Sequence, residues 1–347
     1  MKILINGNLG YVGPVVVRHF RTAFPKAHIM GFDTGFFADS LIDAKRFPDE
    51  PVDVQLYGDV RQLPKDALEG VDAVVQLAAI SNDPMGRESE GATHDINAVA
   101  VAENARHAKD AGVKHFVFAS SCSVYGAGDS EAKTESSDLD PLTAYARSKV
   151  AAERALEELA DDEFIVTSLR FATACGFSPR LRLDLVLNDF VASALATGKI
   201  EILSDGTPWR PLIYVRDMAR AIEWAVTRSH NQGGDYLVVN VGSNEWNYRV
   251  RDLAEAVREH MPKVEIMINQ NAAPDKRSYR VDFSEFKKRA PDHQPTMTLS
   301  DTIKELIEGL RACDFADARF RESIYVRLKV LRDLRSAGRI SEDLFWT

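Results

Sequence analysis

The sequence predicts an α/β fold in which helices cover both faces of a doubly wound parallel sheet. Short apolar runs typical of strands alternate with helical patterns along the first half of the chain. A glycine-rich turn joins the first predicted strand to the first helix. Small or polar residues follow the predicted strands, and open parallel sheets bind ligands beyond the carboxyl ends of their strands.

Composition narrows the class of protein. The chain has 347 residues, of which 45% are hydrophobic and 27% charged, with a formal net charge of -9. This balance argues against a general binder of nucleic acids or anionic membranes. We find no apolar segment long enough for a signal peptide or membrane span, and therefore expect a cytoplasmic protein. Cys122, Cys175 and Cys313 lack metal-ligand spacing, so we predict neither a metal site nor a disulfide framework.

The first strand and the turn after it suggest a nucleotide site. Lys2–Asn6 is strand-like and leads into Gly7, Gly10 and Gly13, after which a helical pattern runs to about Phe24. Such a turn lets backbone N–H groups and a helix N-terminus approach a pyrophosphate. The spacing is G-x2-G-x2-G, which differs from the commonest dinucleotide motif.

The second strand adds a carboxylate. His28–Phe32 ends at Asp33, twenty residues past Gly13, where an acid accepts hydrogen bonds from an adenosine ribose. A carboxylate there repels a 2′-phosphate, and no arginine follows until Arg46. The sequence therefore favours NAD over NADP.

Two further strands end in polar or small residues. Val52–Leu56 precedes Asp59 and Val60, a pair that could contact adenine, although Asp59 could equally cap the next helix. Ala73–Leu77 precedes Ala78-Ala79.

The middle of the chain alternates again. Ser81–Gly86 has the composition of a loop, and Thr93–Ala111 is predicted to be helical. Phe164–Arg170 is predicted to be the sixth strand and leads to Phe171 and Thr173, a position that could also end the strand for packing alone.

The strongest sign of chemistry is Tyr145 followed four residues later by Lys149. Both lie on one face of the predicted helix Leu142–Leu159, about twenty residues after the strand His115–Ala119 and the segment Ser120–Gly126. An ammonium group beside a phenol, whose pKa is ordinarily about 10, favours the phenolate and makes a base for a sugar or alcohol hydroxyl. Alone, the pair could also be a surface Tyr and Lys on a solvated helix.

Taken together, these motifs resemble the extended short-chain dehydrogenase/reductase superfamily. The similar branch contains NAD-dependent nucleotide-sugar epimerases and dehydratases, such as UDP-galactose 4-epimerase, and the resemblance runs from Lys2 to about Leu310. It implies a Rossmann-type, doubly wound NAD-binding domain with a smaller substrate-binding part. The implied boundaries are 1–176 with a return at about 204–242 for the NAD-binding domain, 177–203 and 243–315 for the substrate-binding part, and 316–347 for an additional helix and tail.

The resemblance also implies roles for individual residues. The implied catalytic residues are Ser121, Tyr145 and Lys149. The implied NAD-binding residues are Gly7, Gly10, Tyr11, Val12, Gly13, Asp33, Asp59, Val60, Leu77, Ala78, Ala79, Asn97, Tyr145, Lys149 and Phe171. The implied substrate-binding residues are Ser81, Asn82, Thr173, Arg180, Arg182, Arg210 and Arg277.

Some of these assignments depart from the family pattern. Arg180 and Arg182 suit a phosphate by charge but could form a solvated basic turn. Arg210 matches an arginine that binds the substrate diphosphate, although Pro211 replaces the usual aspartate. Thr173 falls where relatives carry an Asn, and Arg277 could be surface charge.

The implied reaction is a hydride relay at a sugar carbon. Tyr145 takes the proton of a hydroxyl, commonly at C4, Ser121 hydrogen-bonds that oxygen, and Lys149 lowers the pKa of Tyr145 while NAD accepts the hydride. An epimerase returns the hydride on the other face, and a 4-dehydrogenase stops at the ketone. A 4,6-dehydratase is less favoured, because Cys122 and Ser123 stand where it needs an Asp-Glu pair.

Two other functional classes fit the sequence less well than a nucleotide-sugar enzyme. A dinucleotide-sensing regulator would be expected to lose Tyr145 or Lys149, and a hydroxysteroid dehydrogenase would not need converging arginines. The resemblance implies a homodimer through Thr93–Ala111 and Leu142–Leu159. The amphipathic segment Phe320–Leu334 and the tail Ile340–Thr347 are expected to pack on their own subunit.

Overall fold

The protein is described by a computed structural model covering residues 1–42, 48–49, 51–81, 83–128, 131–269, 271–272 and 278–347. Its strands are β1 Lys2–Asn6, β2 His28–Asp33, β3 Val54–Tyr57, β4 Ala73–Gln76, β5 His115–Ser121, β6 Ala132–Lys133, β7 Ile165–Phe171, β8 Thr173–Cys175, β9 Lys199–Ile202, β10 Trp209–Tyr214, β11 Tyr236–Val241, β12 Asn247–Arg249, β13 Glu265–Ile268 and β14 Arg280–Val281. Its α-helices are α1 Gly13–Ala23, α2 Asp83–Glu88, α3 Glu90–His94, α4 Ala100–Asp110, α5 Ala144–Glu157, α6 Val186–Thr197, α7 Val215–Thr227, α8 Val250–His260, α9 Ser284–Arg289, α10 Leu299–Ala312 and α11 Arg327–Ser336.

Seven strands form the central sheet in the order β3-β2-β1-β4-β5-β7-β11, and every neighbouring pair is parallel. The order reverses between β1 and β4, so a crevice opens beyond the carboxyl ends of these two strands. The predicted doubly wound α/β fold is confirmed.

Alternation along β1 shows why the sheet is covered on both faces. Ile3, Leu4 and Ile5 are all fully buried, so both faces of the strand are apolar. Ile3 and Ile5 pack into a core that includes side chains of α1 and α7, whereas Leu4 packs into the core that includes α4 and α5. The two faces therefore have separate hydrophobic cores.

The smaller part is built mainly around α6, α8 and α10, which share a third core with β9 and β10. β9 pairs in parallel with β13, and β10 lies between β8 and β12. β11 then returns to the central sheet beside β7.

Two local predictions differ from the structure. Ser81–Gly86 was expected to be a loop, but the helix α2 begins at Asp83. The expected helix Thr93–Ala111 is interrupted by a π-helical turn at Asp95–Val99. A π turn inserts an extra residue into a helix and commonly marks a functional site.

The C-terminal residues pack on their own chain, as predicted, but the predicted helix Phe320–Leu334 is shorter. A 3-10 turn at Phe320–Glu322 comes first, and α11 begins only at Arg327. Leu331 and Leu344 are buried in the core that contains Leu4. Within the described ranges, none of the helices has the length and apolar character needed to cross a bilayer.

Candidate active site

A cavity of about 520 Å³ lies at the carboxyl ends of the central strands. This volume falls within the usual range of small-molecule sites. Most of the residues predicted to bind cofactor or substrate line it. The lining members of the predicted set are Gly7, Gly10, Tyr11, Val12, Asp33, Asp59, Val60, Leu77, Ala78, Ala79, Ser81, Ser121, Tyr145, Lys149, Phe171, Thr173, Arg182 and Arg210.

The glycine-rich loop leaves no room for a Cβ atom at Gly7 or Gly13. Gly7 has φ +83°, and a Cβ there would lie 2.4 Å from the backbone nitrogen of Ala78. A Cβ on Gly13 would lie 2.2 Å from the carbonyl oxygen of Asn8. Gly13 does not line the cavity, so its role is to let the start of α1 pack against the loop. Gly7 and Gly10 do line it and leave the backbone open to a ligand.

Asp33 is held in place by backbone amides. Leu9 and Gly35 donate their N–H groups to its two carboxylate oxygens, at 3.0 and 2.7 Å. Burial raises the pKa of Asp33, and these two hydrogen bonds oppose that rise. The carboxylate is therefore fixed beside the glycine loop.

Asp59 caps the helical turn that follows it, which is one of the two roles that the sequence left open. Its side chain accepts a hydrogen bond from the Arg61 N–H at 2.9 Å at the start of a 3-10 turn, Val60–Gln62. It also forms an ion pair with the Arg61 guanidinium at 2.6 Å. Asp59 and Val60 nevertheless line the cavity.

Asn97 does not line the cavity. Its amide oxygen accepts from the Ile80 N–H at 2.9 Å, and its amide nitrogen donates to the Ile80 carbonyl and to Ser148 Oγ, at 2.9 and 3.1 Å. The expected direct contact with cofactor is therefore not supported. Asn97 instead fixes the backbone of Ile80, which follows Ala78-Ala79 at the end of β4. Its buried side chain projects from the π turn.

Ser121 and Tyr145 come together in the cavity. Burial raises the pKa of Tyr145 to about 12, and the nearby Ser121 side chain opposes that rise. Ser121 ends β5, and its Oγ accepts the Ser123 N–H at 3.1 Å. Tyr145 lies in the first turn of α5, whose N-cap is Thr143. Two hydroxyls from separate elements thus converge on one point.

Lys149 lies one turn further along α5, almost fully buried. Its ammonium nitrogen donates to the Ala119 carbonyl at 2.8 Å and lies 4.6 Å from the centre of the Phe118 ring. Burial lowers the pKa of Lys149 to about 7. The expected lowering of the Tyr145 pKa is not seen, because the ammonium is directed at Ala119 and lies 5.5 Å from the centre of the Tyr145 ring.

Arg182 and Ser81 are brought together on another wall. Arg182 forms a bidentate pair with Asp184, at 2.9 and 2.8 Å, and donates to Ser81 Oγ at 2.9 Å. All three residues line the cavity. Arg210 also lines it and donates to the Trp209 carbonyl at 2.8 Å.

Arg180 is not a cavity residue, contrary to the sequence prediction. It is 1% exposed, and both its terminal nitrogens bind the Asp49 carboxylate, at 2.8 and 2.7 Å. It also donates to the Ala38 carbonyl at 3.2 Å. Because a buried carboxylate occupies its guanidinium, Arg180 joins the smaller part to the chain after β2. Asn82 and Arg277 lie outside the described residues.

Several residues line the cavity although the sequence analysis did not predict them as site residues. Ser123 lines the cavity, and its Oγ is buried without a hydrogen-bond partner in the described part of the chain. Phe36, Tyr279 and Arg327 also line it. Ser123 could have been found from its place in the segment after β5. Arg327 carries no such signal, since only the folding of the C-terminal residues brings it here.

The residues present fit NAD. The loop at Gly7 and Gly10 is a cradle that any Cβ at Gly7 would fill, and α1 directs its N-terminus toward that loop. Asp33 offers a fixed carboxylate for a ribose at the adjacent strand end. Across the described ranges, no group of three or more His, Cys, Asp or Glu side chains could hold a metal ion.

Comparison with known proteins gives the family. The sequence model of the NAD dependent epimerase/dehydratase family matches residues 3–242. An uncharacterised UDP-glucose epimerase of Bacillus subtilis, YtcB, is 29% identical over 262 residues, which cover 71% of this chain and 78% of the relative. A UDP-glucose 4-epimerase of Corynebacterium glutamicum is 28% identical over 276 residues, covering 75% and 80% of the two chains.

Solved structures agree with the fold. A UDP-glucose 4-epimerase from Stenotrophomonas maltophila, with bound NAD and formylated UDP-arabinopyranose, superposes with a TM-score of 0.79 at 21% identity, covering 91% of this chain and all of that one. An NAD-dependent NDP-hexosamine 5,6-dehydratase, TunA, gives a TM-score of 0.78 at 22% identity, covering 91% and 99%. The chain is therefore an enzyme with NAD as its cofactor, and it belongs to the NAD dependent epimerase/dehydratase family.

Proposed function

We propose that the protein is a nucleotide-sugar epimerase that inverts a hydroxyl-bearing carbon, at C4, of a sugar joined to a nucleoside diphosphate. The observation that carries the proposal is the Ser121–Tyr145 hydroxyl pair, which lies in the same cavity as the glycine loop and Asp33. A hydroxyl pair of this kind can hold one oxygen of a substrate and move its proton.

Tyr145 acts as the base in this proposal. Its phenolic oxygen takes the proton of the sugar hydroxyl, while Ser121 donates a hydrogen bond to the same substrate oxygen. Burial opposes formation of the phenolate, and the nearby Ser121 side chain favours it. NAD, held by the glycine loop and Asp33, would supply a hydride acceptor for the sugar carbon and a hydride donor to its opposite face.

Lys149 is a buried cation one turn along α5 from Tyr145. With a pKa of about 7, it is partly protonated near neutral pH, and its ammonium does not contribute to the pKa of Tyr145. Its hydrogen bond to the Ala119 carbonyl fixes the ammonium between β5 and α5. Lys149 is also proposed to hold the nicotinamide ribose, as in the resemblance.

The substrate is proposed to bind through cations and hydroxyls on the remaining walls. Arg210 supplies charge for a diphosphate, whereas Arg182, which is paired with Asp184, supplies guanidinium hydrogen-bond donors beside Ser81. Ser123 is added to the proposed substrate-binding residues, because its buried Oγ would gain a hydrogen bond from a sugar hydroxyl. The names of the relatives, which are UDP-glucose epimerases, favour a UDP-sugar.

Dehydration is less well supported. The Cys122 thiol is 1% exposed and donates to the Arg170 carbonyl at 3.1 Å, away from the cavity lining. Burial raises the pKa of this thiol far above its usual range. Ser123 has no acidic proton to give, so neither residue can serve as the acid/base pair that eliminates water. A 4-dehydrogenase that stops at the ketone differs only in outcome and is separated by the experiment below.

The proposed assembly is a cytoplasmic homodimer through α5 and the α3–α4 helix. Val99, which lies in the π turn between α3 and α4, is 42% exposed, as an apolar residue at such a contact would be in the free subunit. Light scattering at several protein concentrations tests this assembly, and a monomer at all concentrations would contradict it.

The proposed activity is tested by incubating purified protein and NAD with a panel of UDP-, GDP-, CDP- and dTDP-sugars. Absorbance of NADH and NMR of the sugar are followed together. An inverted sugar without net NADH supports an epimerase. Stoichiometric NADH with a keto-sugar identifies a 4-dehydrogenase, and loss of water from the sugar identifies a dehydratase. Either of the last two results would contradict the proposal.

A further inference from the structure

Arg327 is a cavity residue to which no role has been assigned. It lies at the start of α11, beyond the residues that match the family, and it lines the cavity together with Asp33 and Phe37. Its side chain is only 1% exposed. A fully buried arginine is uncommon unless a negative charge compensates for its lost hydration.

The charge of Arg327 is not compensated within the protein as the neighbouring charges are. Arg180 is paired with Asp49, and Arg182 is paired with Asp184. Among the described residues, by contrast, no carboxylate oxygen lies within 4.0 Å of the Arg327 guanidinium. Arg327 donates only to the carbonyl oxygens of Ile324 and Arg180, at 3.2 and 2.8 Å.

Burial makes the charged form of Arg327 less favourable, as its lowered pKa shows. Burial and then the neighbouring Arg182 lower the pKa of Arg327 to about 9, while Asp184 and Tyr11 act in the opposite direction. An arginine with this pKa remains a cation at neutral pH. It therefore presents an incompletely neutralised positive charge to the cavity.

The position of Arg327 identifies the part of the ligand that it would meet. Its guanidinium lies 4.9 Å from the centre of the Phe37 ring, just after the strand end that carries Asp33. It is also near enough to Tyr11, in the glycine loop, for the two to interact electrostatically. Arg327 thus lines the same cavity as the loop that cradles phosphates and the carboxylate placed for a ribose. In a dinucleotide, the diphosphate lies between these points.

Contacts of the C-terminal residues hold Arg327 there from two sides. Arg332 pairs with Glu88 at the end of α2, and Arg335 donates to Ser89 Oγ at 2.7 Å. The Trp346 ring nitrogen donates to the Thr34 carbonyl at 2.8 Å. The chain from α11 to the C-terminus is therefore anchored both beside α2 and beside the end of β2.

We propose that Arg327 binds the diphosphate of NAD, so that the C-terminal residues complete the cofactor site. The bound diphosphate would supply the negative charge that Arg327 lacks within the protein, and the planar guanidinium can donate two hydrogen bonds to phosphate oxygens. This inference rests on the cofactor of the family and not on the epimerase reaction.

The test is equilibrium binding by calorimetry to wild type, Arg327→Met and Arg327→Lys. NAD, ADP-ribose, adenosine and UDP are the ligands. We expect Arg327→Met to weaken NAD and ADP-ribose by about 10- to 100-fold and adenosine by less than about threefold, because only the first two carry the diphosphate. Arg327→Lys keeps the positive charge but loses the paired guanidinium donors, so its loss of affinity for NAD and ADP-ribose should be intermediate.

Lys329→Met is the matched control, because it removes a cation from the same helix whose ion pair is with Asp333 of that helix, and Lys329 does not line the cavity. It should bind every ligand as the wild type does. Equal weakening of ADP-ribose and adenosine by Arg327→Met would assign Arg327 to holding the Arg180 loop and overturn the proposal. Weakening of UDP alone would assign the charge to the substrate diphosphate, which would also overturn it. The readout is binding, so the result does not depend on whether any sugar is turned over.

Discussion

The two sides of the cavity are built in different ways. The cofactor side is made by the backbone of one short loop, Gly7–Gly13, and by Asp33, whose carboxylate is fixed by backbone amides. The opposite side is made by the side chains of Arg182 and Arg210, which come from different segments of the sequence. On the first side the backbone decides the geometry, and on the second the partners of each side chain decide it.

The neighbours Arg180 and Arg182 show what this difference means. They are two residues apart and look equivalent in the sequence, yet Asp49 holds one in the protein interior and only the other lines the cavity. A glycine spacing therefore locates a phosphate loop directly, whereas a pair of arginines does not locate an anion site until the carboxylates around them are known.

The largest expected effect falls where the two sides meet, at Tyr145. Tyr145→Phe should lower turnover by about 100- to 10,000-fold, because the general base is lost. Binding of NAD should be unchanged, since the loop and Asp33 are untouched. Steady-state kinetics and calorimetry measure the two quantities. Tyr57→Phe is the control, since Tyr57 is 67% exposed and lies outside the cavity lining; unchanged turnover in Tyr145→Phe would remove Tyr145 from the mechanism.

The second prediction separates the two arginines. Arg180→Met should lower the free energy of unfolding by about 3 to 5 kcal/mol, because Asp49 is left buried without its partner. The KM for the nucleotide sugar should not change in molecules that remain folded. Denaturant unfolding and kinetics measure both.

The matched variants for this comparison are Arg182→Met and the double variant Arg180→Met/Asp49→Leu. Arg182→Met should raise KM by about tenfold, the effect of one charged hydrogen bond to substrate. The double variant should recover most of the lost stability, because no buried charge is left alone. A raised KM in Arg180→Met alone would return Arg180 to the substrate site.

The third prediction concerns the cofactor side. Asp33→Asn should lower the preference for NAD over NADP by about 10- to 100-fold, because the negative charge that repels a 2′-phosphate is removed. The ratio of the two dissociation constants measures the effect. An Asn can still accept one of the two amide hydrogen bonds now made to Asp33, which limits damage to the loop. A constant ratio would show that Asp33 does not face the ribose.

The smallest expected effect is on stability, at Lys149. Its pKa is lowered from an ordinary 10.5 to about 7 in the folded protein, so the unfolded chain binds its proton more tightly. Protonated Lys149 therefore lowers the free energy of unfolding, with its full effect below about pH 7. This destabilisation disappears as the pH rises from about 7 to 10.5. Lys149→Met should melt about 2 °C or more higher than wild type at pH 6, despite losing the hydrogen bond to Ala119.

Thermal unfolding of both proteins between pH 6 and 10 checks this prediction. The difference in Tm should shrink steadily as the pH rises. Lys114→Met is the control, because Lys114 is exposed and should show no such trend. A difference that stays constant with pH would contradict the lowered pKa of Lys149.

The fold was largely predictable from the sequence. Strand runs such as Lys2–Asn6 and the glycine turn are local patterns, and the structure has them within a few residues of the predicted positions. Residues that line the cavity were predictable where local spacing places them, as at Tyr145 and Lys149 on one turn of α5. The glycine loop and Asp33 belong to this class.

What escaped prediction depended on contacts between distant segments. Asn97 was expected at the cofactor, but its amide is used by Ile80 and Ser148. The role of Arg327 depends on how the C-terminal residues cross from α2 to the end of β2. The tuning of Tyr145 also depends on burial and on the direction of the Lys149 ammonium, neither of which i, i+4 spacing specifies.

The most direct test of the proposed reaction is to run it in D2O and examine the inverted sugar carbon by NMR. The account predicts an inverted configuration with the original hydrogen still on that carbon, because Tyr145 exchanges only the hydroxyl proton while the carbon-bound hydrogen leaves and returns without meeting solvent. Deuterium on the inverted carbon would contradict the account, because it would mean that the protein removes a proton from carbon.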